Sequence, residues 1–190
     1  MMPQEVANPP TGDELRDAIA EVALLRGEFT LRSGRKSSYY LDKYAFTTQP
    51  RILSGLGRAL ADRIRRLEAG TDRSVMRLAG AELGGIPLVT AAGFYTGLPV
   101  LFVRNQKKEY GTAKQLEGKL NPGDRVVFLE DVATTAGQAI EAVRVLQEAG
   151  AEVLGVIAVI DREEGARENM DQAGVRFEAL FTKTDLGVSE

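Results

Sequence analysis

Two adjacent acids, Glu130 and Asp131, stand directly after the apolar run Val126-Val127-Phe128-Leu129. Val132-Ala133-Thr134-Thr135-Ala136-Gly137-Gln138 follows, before a helix expected to begin near Ala139 or slightly earlier. Small residues let a backbone curl until several amides point inward, threonine hydroxyls add donors, and the start of a helix brings positive potential; together these suit a phosphate. The neighbouring carboxylates fit ribose hydroxyls, or the water shell of a divalent cation. A Thr-Thr pair in a turn taken alone more often caps its helix, with Thr134 or Thr135 as the cap. Paired acids directly after a buried strand tip the balance toward a binding site. The segment is neither a Walker loop, since no Gly-Lys-Ser/Thr follows, nor the glycine-rich dinucleotide fingerprint.

A second candidate lies at residues 104–118, where Arg104, Lys107, Lys108 and Lys114 are spread through a long polar stretch that also holds Tyr110, Gly111 and Gly118. So long a connection in a compact α/β unit is more often a mobile binding loop or lid than a plain turn, and its cations suit a pyrophosphate. The plainer alternative is a solvated charged loop. Arg32, Tyr39 and Tyr40 lie on or beside the turn-prone Ser33-Gly34-Arg35-Lys36, and Arg162 follows another apolar run in Ile160-Asp161-Arg162. Tyrosine rings cover flat ligands and a guanidinium suits a carboxylate or ring carbonyl, although both residue types are more often ordinary surface groups.

Composition narrows the chemistry. The chain has no cysteine and no histidine, so disulfides, thiolate metal sites and imidazole general bases are all excluded. With 24 basic against 27 acidic residues the net charge is -3, which offers nucleic acid no general attraction. No apolar run approaches the ~20 residues of a membrane span, and a cytoplasmic location is expected. A length of 190 residues at 44% hydrophobic content supports one core and one domain.

The elements that must position these residues follow from periodicity. Asp13 caps a helix in which Leu15, Ile19, Val22 and Ala23 recur at helical spacing, expected to end near Arg26 and Gly27. Residues 29–32 and 38–41 then read as a hairpin, and residues 51–67 as a second amphipathic helix. Short apolar runs at 75–79, 100–103, 126–129, 153–160 and 177–181 alternate with helical stretches, which predicts an α/β fold with a central parallel sheet of about five strands flanked by helices. Ligands of such sheets gather beyond the carboxyl ends of the strands, where both candidate loops fall.

In this order the segments resemble a known family. Residues 126–138 resemble the phosphoribosyl pyrophosphate (PRPP) signature of type I phosphoribosyltransferases: an apolar strand, two acids, a short spacer and a Thr/Gly-rich loop. Residues 104–118 resemble the catalytic loop Arg-Lys-x-x-Lys-x-His-Gly of the orotate phosphoribosyltransferases, with the downstream Glu-Gly. Arg104, Lys108 and Gly111 fall on that pattern. Lys107 is an additional cation, Asn105 replaces the second basic residue, and Tyr110 stands in place of histidine. Ala136 and Gln138 replace the usual glycine and hydroxyl residue of the phosphate loop. The segment around Arg32, Tyr39 and Tyr40 resembles the N-terminal hood of the same family, and Asp161-Arg162 its orotate-recognition motif. Residues 80–87 resemble its pyrophosphate-side loop, with Gly84 where some members carry lysine.

The resemblance covers about residues 13–186. It implies one phosphoribosyltransferase domain over residues 1–190, with the hood at about 13–45 and a mobile catalytic loop at about 104–118. It implies transfer of a phosphoribosyl group from PRPP to orotate, giving orotidine 5'-monophosphate. Lys108 and Arg104 would be catalytic. PRPP would be held by Arg104, Lys107, Lys108, Tyr110, Glu130, Asp131, Val132, Ala133, Thr134, Thr135, Ala136, Gly137 and Gln138, and orotate by Arg32, Tyr39, Tyr40, Thr134 and Arg162. Mg2+ would be carried mainly by PRPP and water rather than by direct side-chain ligation. A homodimer sharing its catalytic loops and association with an orotidylate decarboxylase are further implications, with no nucleic acid or membrane partner. A transferase for another base and a PRPP-binding regulator without catalysis remain alternatives.

Overall fold

The structure, a computed structural model, describes residues 8–30, 34, 36–69, 73–105 and 115–189. It opens with helix α1 (Gly12–Ala23), whose buried Leu15, Ile19 and Ala23 line one stripe. The helix stops three residues before the point its spacing suggests, because Leu24 turns to an extended backbone. Residues that the helical spacing places in a last turn are instead the start of strand β1 (Leu24–Thr30), which pairs antiparallel with β2 (Lys36–Leu41). The ladder runs from Leu24 opposite Leu41 to Thr30 opposite Lys36, with an irregularity between Arg26 and Phe29. The hairpin therefore begins earlier than expected, since cross-strand pairing over the full ladder outweighs a local helical pattern.

A short helix, α2 (Lys43–Thr47), follows at once, capped by the Asp42 carboxylate, which accepts from the amides of Tyr44 and Ala45. Helix α3 (Pro50–Ala69) buries Ile52, Leu56, Leu60, Ile64 and Leu67 at helical spacing, the face that its sequence pattern predicts.

The remaining chain builds the main sheet: β3 (Arg77–Ala81), α4 (Gly85–Thr96), β4 (Val100–Val103), β5 (Leu116–Glu117), β6 (Arg125–Ala133), α5 (Gly137–Glu148), β7 (Glu152–Asp161), α6 (Ala166–Gln172) and β8 (Phe177–Thr182). Its strand order is β5-β4-β3-β6-β7-β8, six strands against about five expected. The added member is the two-residue β5, antiparallel to β4 and too short to leave a periodic signature. The other five strands are mutually parallel.

Successive β6 residues serve opposite faces: Val127 and Leu129 join the core cluster that includes α1, α3 and α4 residues, whereas Val126 and Phe128 join the one that includes α5 residues. Burial on both sides is why this strand reads as a continuous apolar run. The chain passes from β3 outward to β4, then returns to β6 on the other flank of β3. Such a reversal opens a crevice at the carboxyl ends of β3 and β6. Close packing keeps the β3 side tight, since a Cβ on Gly80 would lie 2.6 Å from the Gly85 carbonyl oxygen.

Candidate functional site

The acids do not follow β6 but belong to it: Glu130 pairs in register with Ala158, Val132 with Ile160 and Ala133 with Asp161. Strand alternation therefore starts the two side chains from opposite faces of the sheet, although at the strand end their carboxyl groups remain close enough to act on each other. Glu130 lines a cavity of about 380 Å3 with Val132, Ala133, Thr134, Thr135, Ala136, Gly137, Gln138 and Ala139. Asp131 is buried and turns toward Gly84 and Lys43; its Oδ1 accepts from the Val132 amide at 2.6 Å.

The cavity is wrapped by the loop that composition had marked for phosphate. Helix α5 begins at Gly137, and its cap is Ala136, in a left-handed conformation with φ of 60° and no side-chain capping bond. Neither Thr134 nor Thr135 caps the helix, so the simple capping reading of the Thr-Thr pair fails. A left-handed residue here explains why glycine suits this position and why alanine is strained. The loop is also tethered from the end of β7 and from helix α6: Arg162 donates its amide to the Ala133 carbonyl at 2.9 Å, and Asn169 Nδ2 donates to the Thr135 carbonyl at 2.9 Å.

Burial, and next the charge of Asp131, push the Glu130 carboxyl up to about 8, partly opposed by Lys43. For Lys43 burial is the largest influence and works against the charged form, yet Asp131, together with Tyr44 and Glu130, raises the ammonium's pKa. Lys43 Nζ lies 3.0 Å from Asp131 Oδ2. The sequence reading missed Lys43; its only local sign is the Asp42 cap that fixes it at the first position of α2.

A second cavity of about 250 Å3 is lined by Ala81, Val103, Arg104, Asn105, Gln115, Gln138, Glu141 and Ala142. Gln138 borders both cavities, so the base of the cationic loop and the phosphate loop adjoin. Arg104 reaches Glu117 at 3.8 Å, and its Nε is buried without a hydrogen-bond partner. Asn105 is anchored to the β3 loop: its amide donates to Glu82 Oε1 at 2.8 Å and its Nδ2 to the Glu82 carbonyl at 3.4 Å. Glu82 is a second residue that the sequence reading passed over. Lys107, Lys108 and Tyr110 lie outside the described residues, as does Arg32.

Of the expected base-recognition residues, Tyr39 and Arg162 come together. Arg162 Nη2 donates to Tyr39 Oη at 3.1 Å, and the guanidinium carbon sits 5.3 Å from the Tyr39 ring centroid. Glu164 pairs with the same nitrogen at 2.8 Å, while Arg162 Nε is buried and unbonded. Tyr40 stands apart, half-exposed and packed against Phe29 with centroids 5.7 Å apart.

Among the described residues, no group of three or more histidine, cysteine, aspartate or glutamate side chains could hold a metal ion. The donors that are present, Glu130 and the loop hydroxyls, fit a hard cation that arrives with most of its ligands already supplied by phosphate oxygens and water.

No family model matches the chain. Known proteins do. The orotate phosphoribosyltransferase of Natronomonas pharaonis is 48% identical over 181 residues, covering 95% of this chain and 98% of that protein. The Mycobacterium tuberculosis orotate phosphoribosyltransferase superposes with a TM-score of 0.80 at 34% identity, covering 93% of this chain and 98% of that one. The same enzyme in complex with PRPP gives a TM-score of 0.76 at 33% identity over the same shares. The Leishmania donovani UMP synthase matches 92% of this chain with a TM-score of 0.78 at 29% identity, but this corresponds to only 37% of its own length. Strand order, phosphate loop and relatives agree, and the chain belongs to the orotate phosphoribosyltransferase family.

Proposed function

We propose that this protein transfers the phosphoribosyl group of PRPP to orotate, releasing pyrophosphate and forming orotidine 5'-monophosphate for pyrimidine nucleotide synthesis. The observation that carries the reading is the β6 acid pair running into a threonine loop around a cavity of about 380 Å3, in a chain of this family. The whole chain acts as one domain. The loop from Thr134 to Gln138, with Val132 and Ala133, holds the 5'-phosphate through amides and hydroxyls. Glu130 and Asp131 address the ribose hydroxyls. Arg104, Lys107, Lys108 and Tyr110 stabilise the departing pyrophosphate, with Lys108 and Arg104 as the catalytic residues. Arg162, placed by Tyr39, recognises the orotate carboxylate or ring carbonyls, with Arg32, Tyr40 and Thr134 completing the base site.

Orotate N1 bonds to C1' as the C1'–O bond to pyrophosphate breaks, and the N1 proton passes to the departing pyrophosphate or to water. A chain without histidine can run the reaction, because those oxygens take the proton and the protein's task is alignment and charge stabilisation. Mg2+ arriving with PRPP would supply charge neutralisation on the diphosphate, and Glu130 is the residue that would hold its water shell.

The active unit is a homodimer. Helix α4 supports this: it is apolar on nearly all sides, and Phe94 near its end is 86% exposed with Tyr95 beside it, a surface that a second subunit would cover. Among the described residues no helix is long and apolar enough to cross a membrane, in keeping with a cytoplasmic enzyme. Its product requires an orotidylate decarboxylase, which is the expected functional partner.

Loss of orotate absorbance with purified protein, PRPP and Mg2+ tests the reading. Turnover of orotate but not of purine bases is expected. PRPP binding with no turnover of any base would instead favour a regulator.

A further inference from the structure

The carboxyl end of β6 poses an electrostatic problem. A site for PRPP must accept a polyanion, yet its crevice is walled by Glu130 and Asp131, with Glu82 on the adjoining β3 loop and Gly84-Gly85 contributing only backbone. Among the described residues, one ammonium reaches this wall: Lys43, 3.0 Å from Asp131 Oδ2 and 3.4 Å from Oδ1.

Three features make this contact more than a surface pair. First, Asp131 is 1% exposed, so its charge has no water to rely on, whereas Lys43 remains 37% exposed and keeps donors free on its open side. Secondly, the 3.0 Å contact lacks hydrogen-bond alignment, and Asp131 Oδ2 is left as a buried acceptor with no hydrogen bond. Such an atom is an open place for a donor such as a ribose hydroxyl. Thirdly, the arrangement depends on the absence of a side chain at position 84, because a Cβ on Gly84 would fall 1.5 Å from Asp131 Oδ2. Lys43 is itself held by the Asp42 cap, and Asp42 donates its amide to the Ala23 carbonyl at 2.8 Å, so the ammonium is set by the hairpin's exit rather than by a loose loop.

The geometry points to Lys43 as a PRPP-binding residue: a fixed ammonium that holds Asp131 on one side and offers its remaining N–H donors to the diphosphate oxygens of PRPP on the other, with Gly84 as the space that admits the Asp131 carboxylate. This rests on the PRPP-dependent reading above. It gives the site a cation on a structured element, independent of those at 104–118.

The test is calorimetric titration of the full-length protein with PRPP and Mg2+, together with steady-state kinetics in each substrate. Lys43→Met is expected to raise the PRPP dissociation constant and KM by about 10- to 100-fold, while KM for orotate stays within about 2-fold. Lys43→Arg keeps the charge and should recover most of the affinity. Gly84→Ala displaces the carboxylate while leaving the ammonium, and should weaken PRPP in the same way. The double variant should then be no worse than the weaker single one, since both act on one interaction. Should Lys43→Met fail to fold, Lys43→Gln, which keeps a donor for Asp131 without the charge, takes its place: a loss of PRPP affinity supports the assignment and wild-type affinity overturns it. A lowered melting temperature with PRPP affinity unchanged in all three would make the pair purely structural and overturn the assignment; so would a loss confined to orotate. Wild-type protein that binds PRPP without consuming orotate would sink the proposed activity, yet the same titrations would still judge Lys43.

Discussion

Just before β6, Asp124 is enclosed by Arg77, by the Asn121 amide at 2.8 Å and by Asn121 Nδ2 at 3.3 Å, whereas at the far end Asp131 shares its surroundings with a second carboxyl, Glu130, and one ammonium. Arg77 and Asn121 hold the Asp124 carboxyl below the usual carboxylate range, while burial beside Asp131 drives Glu130 far above it. The strand is thus preceded by a saturated acid and carries unsaturated acids toward its carboxyl end. The first arrangement leaves nothing for a ligand to complete, and the second does. Where acceptors remain open and like charges stay adjacent, the fold has given up local stability in favour of binding.

The contrast is broken most sharply by removing the charge that should matter only for catalysis. Lys108→Ala is expected to lower kcat/KM for orotate by about 1000-fold, on the order of 4 kcal/mol of transition-state stabilisation, with the melting temperature unchanged. Comparable turnover in wild type and variant would remove Lys108 from the reaction. Asp124→Ala should do the reverse. Leaving Arg77 buried without its partner should lower the melting temperature by roughly 5–10 °C, while turnover well below the melt stays within about 2-fold. A large loss of activity in the still-folded protein would mean that the two ends of β6 are not functionally separate.

Acid and base should distinguish the ends as well. Asp124 has a depressed folded pKa, so its contribution is present above the ordinary carboxylate range and is lost as pH falls through the folded value. Glu130 has a raised folded value, about 8, so the native state keeps a proton that the unfolded chain gives up. Its contribution is complete below the ordinary glutamate range and is lost as pH rises toward 8. Melting curves from pH 5 to 8 should therefore decline by roughly 3–5 °C, and Glu130→Gln should flatten that decline. A slope unchanged in Glu130→Gln would place the proton elsewhere. The smallest effect concerns the strained cap: Ala136→Gly should raise the melting temperature by about 1–3 °C by relieving the left-handed alanine, with KM for PRPP little altered. A lower melting temperature would mean that the chain-entropy cost of glycine exceeds the strain.

The parts of this arrangement that were legible in the sequence are those whose determinants are local. Strands buried on both faces appear as unbroken apolar runs, which is why β6 and β7 stand where residues 126–129 and 153–160 place them, while the half-buried β4 and β8 fall at the shorter apolar stretches 100–103 and 177–181. The threonine loop that lines the cavity was visible because its hydroxyls, small residues and acids are contiguous. What escaped depends on distant partners. Leu24 to Gly27 extends the pattern of α1, and only pairing with β2 makes it strand. Strand β5 exists through two residues paired with β4. Lys43 is one lysine among many until the fold brings it across 88 positions of sequence to Asp131. That Glu130 and Asp131 leave the strand on opposite faces follows from their place inside β6, which the apolar run ending at Leu129 does not reveal.

The tethers from Ala133 to the Arg162 amide and from Thr135 to Asn169 have a metrical consequence. They join the threonine loop to the strand end that presents a guanidinium, through backbone atoms that side-chain substitution scarcely alters, and to helix α6, through the Asn169 side-chain amide. Under the proposed activity the distance between the two ends of a nucleotide is thereby written into the main chain, and the site works as a fixed gauge: a base set too far from its 5'-phosphate, or too near, meets one end of the gauge and misses the other.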